Sequence, residues 1–98
     1  MNPIRITAVS YYNTLPFIYG LTRSGLLSGF DLSLDVPSEC ARKILSAEAD
    51  IGLIPVGALP SLTSYKLIGN LCIGADKAVK SVLLLANSEL PSLKTIYL

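Results

Sequence analysis

The sequence predicts an α/β fold, a mainly parallel sheet flanked by helices, and three observations predict it. Two segments, 4–10 and 30–36, alternate apolar and polar residues at period two. Between and after them lie stretches with helical spacing and capping residues. A continuous apolar run then follows the second helical stretch. Strand, helix, strand, helix, buried strand is the order that builds right-handed parallel crossovers.

The first strand is Ile4-Arg5-Ile6-Thr7-Ala8-Val9-Ser10, rich in β-branched residues, with Ser10 at its carboxyl end. The polar turn Tyr11-Tyr12-Asn13-Thr14 leads to a helix that Asn13 or Thr14 can cap, with Pro16 in its first turn, where a missing N–H costs nothing. Phe17, Ile18 and Leu21 carry its apolar face towards an end near Gly25 or Gly29. The second strand, Phe30 to Val36, is stopped by Pro37. Ser38 is expected to cap the next helix, with Glu39 in the first turn and Cys40, Ala41, Ile44 and Leu45 on one side, ending near Glu48 or Ala49.

Ile51 to Val56 is apolar throughout, as expected of a strand buried on both faces, and a brief helical turn is expected over Val56 to Leu62. Leu67 to Ile73 and Val79 to Ala86 are further strand candidates, and Thr95 to Leu98 begins another. Asp50 is assigned to structure, bonding nearby backbone N–H groups. Gly52 and Gly57 are expected to allow close backbone approach, with Pro55 fixing a turn, and both Cys40 and Cys72 are expected in the core.

Composition narrows the chemistry. The chain has 98 residues, 51% hydrophobic and 15% charged, with a net charge of +1 and no histidine. It amounts to one domain, which buries about 60–65% of the surface its unfolded form exposes. Scattered basic residues give no footprint for a nucleic-acid backbone. Without histidine and with two cysteines, a Ser-His-Asp triad, a His-paired cysteine and the common zinc sites are excluded. No metal site is expected. The uncharged stretch 6–22 is interrupted by Ser10, Tyr11, Tyr12, Asn13, Thr14 and Pro16, so neither a secretory leader nor a membrane span of roughly 20 apolar residues is expected. A cytoplasmic protein with free cysteines is the expectation. The high apolar fraction suggests surface covered by further chain or by a second copy, so homo-association is expected through exposed apolar surface.

In parallel sheets, ligands sit outside the carboxyl ends of the strands. Three segments therefore converge on one expected rim: Ser10 to Thr14, Pro37 to Ser38, and Pro55 to Gly57. Asn13 and Ser38 each read as a helix cap or a contact to a ligand at that rim. Ser81, inside an apolar segment, bonds a neighbouring carbonyl or a ligand. Tyr11 and Tyr12 wall a cleft or pack, with packing expected of one of them.

The strings VSYYNTLPFIYGL (Val9 to Leu21), DVPSECARKILSAEADIGLIPVGAL (Asp35 to Leu59) and KSVLLLANSEL (Lys80 to Leu90) resemble, in order, the amino-terminal lobe of chorismate dehydratase. That enzyme acts in the futalosine route to menaquinone, and the naphthoate synthase of the same route has a similar lobe. The resemblance implies a two-lobed fold like type II periplasmic binding proteins, with substrate between the lobes. It implies a hydro-lyase that removes water from chorismate to leave 3-[(1-carboxyvinyl)oxy]benzoate, with no metal or organic cofactor. Asn13 and Ser81 then fall at catalytic positions, and Ser10, Tyr11, Thr14, Ser38, Pro55 and Val56 at substrate-binding ones. The resemblance implies that residues 1–98 correspond to one lobe of a longer protein and that this length alone is inactive. A solute-binding module for a small carboxylate is the alternative that the same lobe geometry allows.

Overall fold

A computed structural model describes residues 2–80 and 83–97. Its centre is a three-stranded parallel sheet in the order β2-β1-β3, where β1 is Ile4–Val9, β2 is Phe30–Asp35 and β3 is Ile51–Gly52. The first two strands occur where alternation places them. Ile4 pairs with Phe30 and Val9 with Asp35, so β1 and β2 run flush along their whole length. β3 is shorter than the apolar run 51–56, pairing only Ile51 with Ile6 and Gly52 with Thr7.

Helix α1, Leu15–Arg23, follows β1 through a 3-10 turn at Tyr12–Thr14, and α2, Pro37–Leu45, follows β2 after a single residue. A 3-10 segment at Leu26–Gly29 joins α1 to β2, and another at Val56–Ser61 matches the helical turn expected there. Pro37 occupies the first turn of α2, so Val36 precedes it as the cap, and Ser38 lies inside the helix without a capping bond. Thr14 precedes α1, again with no side-chain cap. The 3-10 turn explains this, because the amides of Thr14 and Leu15 already donate to the carbonyls of Tyr11 and Tyr12 and Pro16 has none to offer.

The core is built of small side chains: Ala8, Cys40 and Ala49, with Thr7 and Thr14 also buried. Cys40 is fully enclosed, as expected of the apolar side of α2. α2 lies against β1 and β3, and a Cβ on Gly52 would stand 2.6 Å from Ile44 Cγ1, so the close approach expected of Gly52 is real. Gly57 has no neighbour within 4 Å and meets no such demand.

Beyond Leu62 the expected strands do not form among the described residues. Leu67 to Ile73, the described parts of 79–86, and 95–97 carry no ladder bonds and lie largely exposed, and Ser81, Val82 and Leu98 lie outside the described residues. The physical reason is topological. A parallel strand returns to its sheet through a crossover of a dozen or more residues, usually helical, and among the described residues after β3 only two short 3-10 segments occur. Cys72, expected in the core, is exposed for the same reason. The radius of gyration, 17.0 Å against the ~13 Å of a compact domain of this size, reflects the extended carboxyl third.

Candidate functional site at the carboxyl rim

The parallel register places the expected segments along one edge. Val9 pairs with Asp35, and the Ser10 amide donates to the Asp35 carbonyl at 2.9 Å, so the chain leaves β1 and β2 side by side. On the other flank, the Leu53 amide donates to the Thr7 carbonyl at 3.0 Å, and the chain then runs through Ile54 to Pro55 and the 3-10 segment that Val56 begins. Ser10–Thr14, Pro37–Ser38 and Pro55–Val56 therefore all lie beyond the carboxyl ends of the strands.

Part of this rim encloses space. A cavity of about 350 Å³ is bordered by Ser10, Tyr11 and Thr14 of the expected set, with Tyr12 beside them and an apolar wall of Val9, Leu15, Ile18 and Leu34. Asn13 stands in the same 3-10 turn, exposed at its surface and not part of the cavity lining. Ser38, Pro55 and Val56 are exposed and do not border the cavity. Neither tyrosine packs inside: Tyr11 is 52% and Tyr12 90% exposed. Ser81 lies outside the described residues.

Thr14 is the unusual member. Its side chain is 1% exposed, yet its hydroxyl has no hydrogen-bond partner. An unpaired buried hydroxyl costs about 1–3 kcal/mol, and this one belongs to a residue that borders the cavity. The two helix starts also differ. The first amides of α1 are absorbed by the 3-10 turn, whereas Ser38 lies in the opening turn of α2, exposed on the rim. The hydroxyl residues Ser10 and Thr14 at the cavity and the opening turn of α2 thus lie along one rim.

Behind the rim lies a polar cluster. Asp35 Oδ2 accepts from Lys43 Nζ at 2.8 Å, Ser33 Oγ at 2.8 Å and Thr7 Oγ1 at 2.9 Å. These donors, Lys43 foremost, hold the Asp35 carboxyl down at about 2. Sequence reasoning missed this cluster, although Thr7, Ser33 and Asp35 sit at alternate positions of adjacent strands, a period-two polar stripe on what ought to be a covered face. Among the described residues no group of three Asp, Glu or Cys side chains gathers to hold a metal ion.

The model of a family described as menaquinone biosynthesis matches residues 4–98. The chain belongs to the menaquinone biosynthesis family. No solved structure matches it. In this menaquinone biosynthesis protein the match takes in all three rim segments and the cavity between β1 and α1. Membership implies an enzyme with a small-molecule substrate. No helix among the described residues is long and apolar enough to cross a membrane.

Proposed function

We propose that this chain supplies the amino-terminal part of the site of a chorismate dehydratase, one lobe of a two-lobed fold like type II periplasmic binding proteins. The observation that carries the reading is that Ser10, Thr14 with its unpaired hydroxyl, the Asn13 turn and the Ser38 helix start all lie beyond the carboxyl ends of one sheet, with Ser10 and Thr14 at its cavity. It is supported by family membership and by the order of the rim segments.

Chorismate carries two carboxylates. Losing the C3 proton and the C4 hydroxyl as water makes its ring aromatic, which drives the reaction. The obstacle is a weakly acidic C–H, eased when charge spreads through the diene into the ring carboxylate. Hydroxyls and the α2 start aimed at that carboxylate act as an oxyanion hole does, without imidazole. Asn13 is a neutral amide and a poor base, so in this reading it orients the ring while one of chorismate's own carboxylates takes the proton. Ser81 adds a further carboxylate donor.

The test is direct. The full-length protein, incubated with chorismate, is expected to release 3-[(1-carboxyvinyl)oxy]benzoate, seen as an aromatic product lighter than substrate by one water. Chorismate bound and returned unchanged favours a solute-binding module instead, and neither binding nor product rejects both readings.

A further inference from the structure

We infer that Asp35, clamped by Lys43, is a positioning residue that fixes the spacing between the rim segments carrying Ser10 and Ser38. Asp35 stands where the two segments diverge. Its backbone carbonyl receives the Ser10 amide at 2.9 Å, and the next residue, Val36, receives the amides of Glu39 and Cys40 at 3.0 Å each, so the first turn of α2 hangs from the residue beside it. One carboxylate oxygen, Oδ2, collects donors from three elements: Thr7 on β1, Ser33 on β2 and Lys43 on α2.

The other ion pairs among the described residues, Arg5–Asp50 and Arg42 with Glu39 and Glu48, are roughly half exposed. The Lys43–Asp35 pair is the covered one, with side chains 21% and 16% exposed. A charge pair there is costly to desolvate and easily replaced by apolar packing if holding the fold were its whole purpose. Its position, one residue from the rim, gives it another: removing the cation leaves Asp35 with two hydroxyls for its charge and cuts the tie between α2 and the residue whose carbonyl holds Ser10.

This inference rests on the reading of the rim as the reacting site, so the experiment has an arm that needs no substrate. Amide exchange is followed by NMR in Lys43→Met, Lys43→Arg and the parent protein, at Ser10 beside the rim and at Asp50, whose amide donates to the Arg5 carbonyl near the far end of β1. Lys43→Met is expected to speed exchange at Ser10 about tenfold and leave Asp50 unchanged. With chorismate, it lowers kcat by about tenfold or more while KM changes little. Lys43→Arg restores most of both. Equal acceleration at Ser10 and Asp50, or Arg no better than Met, overturns the inference. If Lys43→Met does not fold, Asp35→Asn, which keeps the shape, must show the same Ser10-specific change or the inference fails. A parent protein that leaves chorismate unchanged defeats the functional reading alone, since the exchange result still decides the positioning role.

Discussion

Asp50 accepts three hydrogen bonds from one residue, Arg5: the backbone amide at 2.9 Å and Nε at 3.1 Å reach Oδ2, and Nη2 reaches Oδ1 at 2.8 Å. The backbone bond matches the structural role expected of Asp50 from its place ahead of the apolar run at Ile51. The fork with the guanidinium is the addition that structure makes. Together they pin the start of β3 beside β1 across 45 positions of chain.

Both side chains are 46% exposed, so the ion pair itself is screened. Asp50→Asn, which keeps one acceptor for the backbone amide, is expected to lower the thermal midpoint slightly, and Asp50→Ala to lower it more. Thermal unfolding by circular dichroism in low and high salt checks this: the Asn variant's deficit shrinks with salt and the Ala variant's persists.

Gly52→Ala is expected to destabilise by about 1–3 kcal/mol, because its Cβ meets Ile44 Cγ1 at 2.6 Å and Cδ1 at 2.8 Å. Adding Ile44→Ala removes both atoms. In urea titrations the double variant should therefore lose less than the two single losses combined, and strict additivity would refute the clash.

Thr14→Val exchanges an unpaired hydroxyl for a methyl of similar size. Stability without ligand should stay level or rise by about 1 kcal/mol, while affinity for chorismate falls, a split that calorimetry and thermal unfolding together reveal. A loss of stability would show that the hydroxyl is bonded after all.

Asn13→Ala removes an exposed side chain, so folding should change by less than about 0.5 kcal/mol. Turnover of chorismate is expected to fall by more than affinity does, measured as kcat against KM.

Acid should weaken the fold over a defined window. Arg5 holds the Asp50 carboxyl at about 2, Arg42 the Glu48 carboxyl at about 2, and Lys43, Ser33 and Thr7 the Asp35 carboxyl at about 2. Each lies below its unfolded value near 4, so its stabilisation is present above roughly pH 4 and is lost as the pH falls through about 2. Urea midpoints at pH 7, 5.5 and 2 should be level between the first two and drop at the third. Lys43→Met should flatten part of that drop, since the Asp35 contribution goes with the lysine.

Local pattern made the amino-terminal half legible. Alternation located β1 and β2, the proline at 37 marked the end of the second strand, and Cys40 followed from its place on the apolar side of the next helix. What failed was whatever depends on distant partners. Leu67 to Ile73 has a strand's composition but no neighbour to pair with, and composition cannot report a missing crossover. Ser38 reads as a cap because serine favours that position, yet Pro37 displaces the helix start by its ring geometry. The Asp35 cluster joins residues 28 and 8 positions apart, and only folding brings its donors together. At the rim, the segments were legible from topology, while the enclosure of Thr14 and the exposure of Asn13 were not.

β1 is the middle strand, yet both strands that flank it come later in the chain. No hairpin can therefore seed this sheet. Each pairing must close a long loop before any ladder bond repays the entropy, and the second cannot begin until Ile51 has been made. During synthesis, at the usual pace of translation, β1 spends seconds before both of the strands that flank it have been made.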